Sequence, residues 1–193
     1  MGFFLLTFLG FFGRINCNAK LGGERLLFKR FTPEYYFKTF DMASAEFLSS
    51  IGVKGIVLDV DNTLEPYENP KPTERVLTWF ESLKAAGIKA AIVSNNGKER
   101  IDIFNEDLGL IAYSKSGKPK KKNVLRAISD MGIAKEDAIF MGDQVFTDVW
   151  AAHNAGIRAI LVPPIKDKRD LLTRFKRLLE KPVLKKFRKN KEK

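Results

Sequence analysis

Short apolar runs alternate with amphipathic segments along the middle of the chain. The run Gly55 to Leu58 (GIVL) is apolar throughout, and residues 90–93 (AAIV) and 138–141 (AIFM) have the same character. Between these runs apolar residues recur every three or four positions, as in amphipathic helices. Buried strands that alternate with helices are typical of a parallel sheet with crossover helices. The pattern therefore predicts a Rossmann-like α/β domain in three layers, with helices on both faces of a mainly parallel sheet.

The same pattern sets approximate bounds for each element. Five strands are predicted, at residues 55–58, 90–93, 110–113, 138–141 and 158–162. Helices are predicted at residues 42–50, 74–86, 101–108, 124–131, 147–155 and 169–179. Gly87 and Gly132 follow two of the helical segments, where glycine commonly ends a helix.

The length of the chain suits one catalytic domain with a tail at each end. The chain has 193 residues, and single domains cluster near ~100–150 residues. A hydrophobic content of 45% with 30% charged residues is typical of a folded chain. We expect an N-terminal extension at residues 1–26, one domain at residues 27–180, and a C-terminal tail at residues 181–193.

The two terminal segments differ in character. Residues 2–12 (GFFLLTFLGFF) are almost wholly apolar but cover only 11 positions, whereas a membrane-spanning helix needs ~20. No basic residue precedes this run, as a signal peptide would require. We therefore expect no transmembrane span and interpret the segment as either a peripheral anchor or an upstream-start artefact. The C-terminal tail is rich in lysine and arginine and is expected to be solvated.

The chain is strongly basic and poor in cysteine and histidine. A formal charge of +11 favours anionic partners such as phosphoesters, nucleic acid or an anionic membrane surface, without choosing among them. Cys17 cannot form an internal disulfide, and one histidine without cysteine neighbours gives no recognisable zinc site. His153 is interpreted as a packed or surface residue of a helix rather than a catalytic residue. We expect a cytoplasmic protein, with association at the cytoplasmic membrane face as the alternative.

Polar residues follow directly after the predicted strands. In a parallel sheet, ligands bind beyond the carboxyl ends of the strands, so these positions are the informative ones. Four separate loops bring carboxylates, hydroxyls, amides and an ammonium to one edge of the sheet. In chain order these residues are Asp59, Asp61, Thr63, Ser94, Asn95, Asn96, Lys118, Asp143 and Asp148.

This set of residue types indicates phosphoryl transfer with a metal ion. Four crowded carboxylates repel one another unless a hard cation lies between them, and oxygen ligands are what Mg²⁺ prefers. The Asp59 carboxylate could then attack phosphorus and form a covalent intermediate. Asp61 could protonate the leaving oxygen, while Ser94 and Lys118 stabilise the negative charge on the phosphoryl oxygens.

Four segments carry a resemblance to a known family. The run IVLDVDNTL contains Asp59 and Asp61, AIVSNN contains Ser94, GKP contains Lys118, and FMGDQVFTDVWAA contains the last two aspartates. In this order they resemble the four motifs of the haloacid dehalogenase superfamily of phosphatases. The pattern is most similar to subfamily IIIA and its YqeG-like group, whose relatives include mitochondrial phosphatidylglycerophosphate phosphatases. The resemblance covers residues 31–164.

The resemblance implies a role for each motif residue. Asp59 would be the nucleophile and Asp61 the general acid and base. A magnesium ion would be held by Asp59, by Asp61 through its backbone carbonyl, by Asp143, and by Asp148 directly or through water. The expected phosphate-binding residues are Thr63, Ser94, Asn95 and Lys118.

The lysine of the third motif has several neighbours that could replace it. The lysines closest to Lys118 in the sequence are Lys115, Lys120, Lys121 and Lys122. The Lys-Pro context favours Lys118.

The spacing of the motifs leaves no room for a cap domain. Asp59 and Ser94 are 35 positions apart, and Lys118 and Asp143 are 25 apart. A loop, a helix and a strand use nearly all of each interval, since a crossover alone takes at least ~10–12 residues. The expected cleft is therefore open and admits a phosphate attached to a lipid, a nucleic-acid end or a protein, and a small metabolite if a second subunit covers the site.

Phosphatidylglycerophosphate is the leading substrate, which the family resemblance implies first and the character of the surface favours second. Basic residues interleave with the aromatic residues of segment 28–38, which would form an interface for anionic lipid, or alternatively these aromatic side chains belong to the core. A polynucleotide-end phosphatase is the enzyme alternative. A non-catalytic scaffold that binds RNA or the ribosome is the alternative from another class. The sequence does not predict the oligomeric state.

Overall fold

The computed structural model describes residues 30–166, which form a single parallel sheet with helices around it. The strands are β1 (Tyr35–Tyr36), β2 (Gly55–Leu58), β3 (Lys89–Val93), β4 (Ile111–Tyr113), β5 (Ala138–Gly142) and β6 (Arg158–Leu161). They lie in the order β1-β6-β5-β2-β3-β4, and every neighbouring pair is parallel. The predicted α/β fold with a mainly parallel sheet is confirmed.

Five α-helices connect or precede these strands. They are α1 (Ala45–Ser50), α2 (Glu74–Ala85), α3 (Lys98–Asn105), α4 (Lys122–Asp130) and α5 (Trp150–Ala155). Short 3₁₀ turns at Phe40–Met42 and Lys135–Asp137 and a π-helical turn at Val145–Val149 complete the described elements. Within residues 30–166, no helix combines the length and apolar character needed to cross a bilayer.

The core lies between the sheet and helices α1 to α3. Ile56 and Leu58 of β2 are fully buried in one cluster with Leu48 of α1, Phe80 of α2 and Phe104 of α3. Alternate strand residues point to opposite faces, and helices α4 and α5 contact the strands as well. The sheet is thus covered by helices whose packing fixes the loops at its carboxyl edge.

The intervals between the motifs contain no cap domain. From Asp61 to Ser94 the chain forms a loop, α2 and β3, and from Lys118 to Asp143 it forms α4, a 3₁₀ turn and β5. The prediction that no cap domain is inserted therefore agrees with the structure over residues 61–143, all of which are described.

The helix predicted at residues 101–108 lies at Lys98–Asn105, and the ends of several other elements shift by one or two residues. Three further differences concern the kind of element or its start. The predicted helix at residues 42–50 begins only at Ala45, because the side chain of Ser44 accepts a hydrogen bond from the amide of Phe47 and caps the helix there. The predicted helix at residues 147–155 begins with a π-helical turn. The predicted helix at residues 169–179 and both predicted tails, at residues 1–26 and 181–193, lie outside the described residues.

Strand β1 is the third difference, since no strand was predicted there. The amide of Glu34 donates to the carbonyl of Ala159 (3.0 Å), and the Glu34 side chain accepts from the Ala159 amide (2.7 Å). His153 also contacts this carboxylate at 3.2 Å, which fits its interpretation as a packed helix residue. Two extended residues are too few to produce a periodic pattern.

The aromatic residues near β1 belong to the packed part of the domain. Tyr35 and Phe37 make edge-to-face contacts with Phe47 of α1, at centroid distances of 5.2 and 5.0 Å. Phe31 is buried and contacts Phe146 and Trp150. Phe31 therefore belongs to the core, and Tyr35 and Phe37 are half-buried and packed against it. The lipid interface at this segment stays a prediction.

Candidate active site

The central strand of the sheet places the first motif between two others. Leu58, the last residue of β2, is paired with Ile92 of β3 on one side and Met141 of β5 on the other. The Asp59 amide continues this pairing by donating to the carbonyl of Met141 (3.0 Å). Because all the strands are parallel, the loops that follow them meet at one edge.

Three aspartates form a buried cluster at this edge. Asp59, Asp143 and Asp148 each offer a carboxylate oxygen, and these oxygens lie within 4.8 Å of one another. The three residues are 6%, 3% and 1% exposed, so the cluster is screened little by solvent. Oxygen donors at this spacing and burial fit a divalent cation.

Asp61 and Thr63 lie beside this cluster in a tight turn. The amide of Asn62 donates to the carbonyl of Glu65 (2.7 Å), and Asn62 has a φ angle of 65°, which asparagine tolerates better than most residues. The Thr63 hydroxyl is 3.5 Å from the Asp143 carboxylate. The Asp61 carboxylate is not part of the three-aspartate cluster, which leaves its expected metal contact to its backbone carbonyl.

Lys118 joins two members of the cluster. Its ammonium is 3.0 Å from Asp59 and 2.8 Å from Asp148, and its side chain is 2% exposed. Burial alone would lower the pKa of Lys118, but the negative charges of Asp148 and Asp59 raise it above the ordinary value. The lysine therefore stays charged. The four neighbouring lysines named above are all exposed, so the geometry favours Lys118 as the lysine of the third motif.

Asn95 fixes the loop that carries Lys118. Its side-chain oxygen accepts hydrogen bonds from the Lys118 amide (2.8 Å) and the Ser116 hydroxyl (2.9 Å), and its side-chain nitrogen donates to the Lys118 carbonyl (3.1 Å). Asn95 thus positions the lysine. Its expected direct contact with phosphate stays a prediction.

Ser94 is buried at the end of β3. Its amide donates to the carbonyl of Tyr113 in β4 (2.9 Å), and its hydroxyl oxygen accepts from the amide of Asn96 (3.2 Å). The hydroxyl keeps its own hydrogen to donate, as contact with a phosphoryl oxygen would require.

Asp148 reaches the cluster from the π-helical turn at Val145–Val149, where the helix is wider than an α-helix. The amide of Gln144 donates to the Asp148 carboxylate (3.0 Å), and the Gln144 carbonyl accepts from the amides of Asp148 and Val149. π-helical turns of this kind are often found at functional sites. Burial raises the pKa of Asp148, and the charge of Lys118 opposes this effect only in part. A cation at the cluster would further favour the ionised carboxylate.

Gly142 provides the space that Asp148 occupies. A Cβ atom at this position would lie 2.4 Å from atoms of the Asp148 side chain, which is closer than real Cβ contacts. Only glycine fits here without moving the carboxylate.

Two residues contact Asp61 that were given no role from the sequence. Asn96 donates from its side-chain amide to Asp61 (2.8 Å), and a guanidinium nitrogen of Arg100 lies 3.2 Å from the other carboxylate oxygen. Asn96 lies among the polar residues that follow β3. Arg100 lies inside α3, and only the position of that helix at the same sheet edge indicates its proximity.

The arrangement brings together the groups needed for acyl-phosphate chemistry. It offers a buried carboxylate, Asp59, next to a cation-binding cluster and a charged lysine. A second carboxylate, Asp61, is held separately by neutral and cationic partners. A candidate nucleophile, a candidate acid and a positive environment that suits phosphoryl oxygens therefore meet at one edge of the sheet.

Comparisons with known proteins agree with this chemistry. The family described as haloacid dehalogenase-like hydrolase matches residues 25–162. The chain is 40% identical over 159 residues to the probable phosphatase YqeG of Bacillus subtilis (strain 168), which covers 82% of this chain and 92% of that protein. A shorter match of 46 residues, 39% identical, is to the phospholysine phosphohistidine inorganic pyrophosphate phosphatase of Xenopus laevis and covers 24% of this chain and 17% of that protein.

A solved structure has the same fold at low identity. CbbY from Rhodobacter sphaeroides, in complex with phosphate, has a TM-score of 0.50 at 13% identity and covers 61% of this chain and 89% of that protein. The four motifs, their geometry and the long match to YqeG lead to one conclusion. This chain belongs to the haloacid dehalogenase-like hydrolases and is a phosphatase of the YqeG-like group.

Proposed function

We propose that the protein is a Mg²⁺-dependent phosphomonoester hydrolase that forms an aspartyl-phosphate intermediate on Asp59. The observation that carries this proposal is the buried cluster of Asp59, Asp143 and Asp148 with the Lys118 ammonium against two of its members. Asp59, Asp143 and the backbone carbonyl of Asp61 would hold Mg²⁺, with Asp148 acting directly or through water. When bound, Mg²⁺ offsets the repulsion between the carboxylates and an anionic phosphoryl group.

The reaction has two balanced steps. In the first, an Asp59 oxygen forms a bond to phosphorus as the bond to the leaving oxygen breaks, and Asp61 gives that oxygen a proton. In the second, water attacks phosphorus, Asp61 takes a proton from the water, and the bond to Asp59 breaks to release inorganic phosphate. Ser94 and Lys118 stabilise the phosphoryl oxygens in both steps.

Metal dependence provides the test of this mechanism. Purified protein stripped with a chelator should lose hydrolysis of an aryl phosphate and regain it with Mg²⁺. The Asp143→Asn variant should need a higher Mg²⁺ concentration for half-maximal activity, because one charged ligand is lost. Full activity in excess chelator would rule out the metal, and an unchanged Mg²⁺ requirement in the variant would rule out Asp143 as a ligand.

The leading substrate in our proposal is phosphatidylglycerophosphate at an anionic membrane surface. The absence of a cap supports a large substrate. A second support is the group of exposed lysines around Lys118, none of which has an ion-pair partner within residues 30–166. These four lysines are Lys115, Lys120, Lys121 and Lys122.

The position of these lysines is unfavourable for the helix that follows. Helix α4 begins at Lys122, and its first turn contains no acidic residue, although the positive end of the helix dipole favours acidic residues there. A nearby anionic surface would offset this charge. The protein would then bind peripherally at the cytoplasmic face of a membrane.

A competition assay decides between the substrates. The protein should bind vesicles that contain anionic lipid and hydrolyse phosphatidylglycerophosphate in them. It should dissociate from the vesicles as the salt concentration is raised above physiological ionic strength, at which the Debye length is ~8 Å. Phosphorylated oligonucleotides and a panel of sugar and nucleotide phosphates serve as competitors. Strong preference for oligonucleotide ends would favour the polynucleotide phosphatase, preference for a soluble ester would favour the small-metabolite enzyme, and no turnover of any ester would leave the RNA- or ribosome-binding scaffold.

A further inference from the structure

Two arginine–aspartate pairs among the described residues each lie near a phenylalanine ring but differ in burial and geometry: the Arg75 side chain is 57% exposed and the Arg100 side chain 10%. Arg75 donates to both oxygens of Asp41, from Nε (2.9 Å) and from Nη2 (2.6 Å). Its guanidinium lies 5.3 Å from the centre of the Phe40 ring. This two-point contact is the usual strong geometry of an arginine with a carboxylate.

Arg100 approaches Asp61 through Nη2 and makes no such two-point contact. Its Nη2 is 3.2 Å from Asp61 Oδ1, and neither Nε nor Nη2, which are both buried, has a hydrogen-bond partner within residues 30–166. The group is otherwise fixed, because Nη1 donates to the carbonyl of Pro70 (2.7 Å) and the guanidinium lies 5.4 Å from the centre of the Phe104 ring. Buried unsatisfied donors are costly and rare.

Asn96 holds the second oxygen of the Asp61 carboxylate. Its side-chain amide donates to Asp61 Oδ2 (2.8 Å). Asn96 is itself held in place, since its backbone amide donates to the Ser94 hydroxyl oxygen (3.2 Å) and its side-chain oxygen accepts from the amide of Gly97 (2.7 Å). The other oxygen, Asp61 Oδ1, is buried, lies 3.2 Å from Arg100 Nη2, and accepts no hydrogen bond within residues 30–166.

We propose that Arg100 is a positioning residue for Asp61, and that Arg100 and Asn96 together fix the direction of the Asp61 carboxyl group for proton transfer. Arg100 lies against Oδ1 and Asn96 donates to Oδ2, so each oxygen has one fixed neighbour. Loss of either neighbour would let the carboxyl group rotate away from the leaving oxygen. This inference rests on the proposed role of Asp61 as general acid and base.

Kinetics with two classes of leaving group test the inference. An alkyl phosphate needs a proton on its leaving oxygen, whereas an activated aryl phosphate does not. The Arg100→Met variant should lose about 10- to 100-fold in kcat for the alkyl phosphate, the usual cost of a displaced catalytic group, while aryl phosphate hydrolysis changes far less. KM should change little, because Arg100 is buried and contacts Asp61 rather than the substrate.

Further variants separate positioning from general stability. Arg75→Met removes an arginine that likewise contacts an aspartate and lies near a phenylalanine ring, but outside the candidate site. This variant should keep both activities at the wild-type level. Arg100→Lys keeps the charge and should recover part of the alkyl phosphate rate, and it also replaces Arg100→Met if that variant does not fold. Asn96→Ala should lower the alkyl phosphate rate selectively, because the Asp61 carboxyl group then loses the hydrogen bond that holds Oδ2.

The outcomes distinguish this inference from the proposed function. No hydrolysis of either ester by the wild-type protein would overturn both. The hydrolase mechanism stands if Asp61→Asn slows alkyl phosphate hydrolysis more than aryl phosphate hydrolysis. The positioning role of Arg100 is wrong if Arg100→Met loses equal activity toward both esters, or if its activities equal those of Arg75→Met. Selective loss in Arg100→Met and Asn96→Ala, with partial recovery in Arg100→Lys, supports the inference.

Discussion

Replacement of Gly142 by alanine should disable the site while leaving the fold in place. The added Cβ would lie 2.4 Å from the Asp148 side chain, whereas ordinary contacts of a Cβ atom begin near 3.4 Å. The Asp148 carboxylate must therefore move by about 1 Å, and a displacement of this size can lower a catalytic rate by about 100-fold. The movement also lengthens the ion pair with Lys118, which is 2.8 Å in the native structure.

The assay is Mg²⁺-dependent hydrolysis of an aryl phosphate, together with thermal unfolding of the same sample. Gly55→Ala is the matched control, because its Cβ would lie 2.3 Å from the terminal methyl group of Ile133, at the opposite end of strand β2 from the site. Both variants are overpacked, which typically costs about 1–3 kcal/mol of unfolding free energy. Only Gly142→Ala should lose activity at a temperature where both proteins are folded. Equal activity in the two variants would refute the reasoning that Asp148 must occupy this position.

Three further variants test other contacts of the described domain. Lys118→Met should lower kcat by about 10²–10³-fold, as expected for the loss of one preorganised donor. Lys120→Met, which replaces an exposed neighbouring lysine, should keep its activity toward soluble esters. Equal losses in the two variants would mean that Lys118 is not the lysine of the site. Asp61→Asn should slow alkyl phosphate hydrolysis by about 10²–10⁴ and aryl phosphate hydrolysis less, and equal slowing would exclude proton transfer by Asp61. Burial alone would raise the pKa of Glu34, but hydrogen bonds from His153 and the Ala159 amide lower it below the ordinary value. The Glu34 carboxylate therefore stabilises the fold at pH values above the ordinary pKa of glutamate. It ceases to do so as the pH falls through the lowered pKa. The difference in melting temperature between wild type and Glu34→Gln should narrow over that acid range, and a constant difference would contradict this role.

The position of the candidate catalytic residues could be predicted because strand ends are visible in the sequence. An apolar run such as Gly55 to Leu58 marks a buried strand, and the polar residues just after it must lie at the carboxyl edge of a parallel sheet. Asp59, Ser94 and Asp143 were located in this way. The absence of a cap followed from interval lengths alone.

Other features depend on tertiary contacts that no local pattern encodes. Five lysines lie near the third motif in the sequence, where the Lys-Pro context favours Lys118, but the contacts of its ammonium with Asp59 and Asp148 appear only in the folded chain. Arg100 lies in the charged helix KERIDIFN, whose pattern is typical of a solvated surface, and its contact with Asp61 arises only because α3 begins at the site edge. The separation of the Asp61 side chain from the three-aspartate cluster likewise depends on its contacts with Asn96 and Arg100 in the folded chain.

The central claim is that Asp59 becomes phosphorylated during turnover, and direct detection of that intermediate tests it. Wild-type protein is mixed with substrate and Mg²⁺, quenched in acid, and treated with borohydride, which reduces an aspartyl phosphate to homoserine. Mass spectrometry of the peptide that contains residues 55–65 should then show homoserine at position 59 in the wild type. The Asp59→Asn variant should keep the wild-type melting transition but show neither homoserine nor hydrolysis. Hydrolysis at the wild-type rate by Asp59→Asn, or homoserine at a different aspartate, would contradict the mechanism.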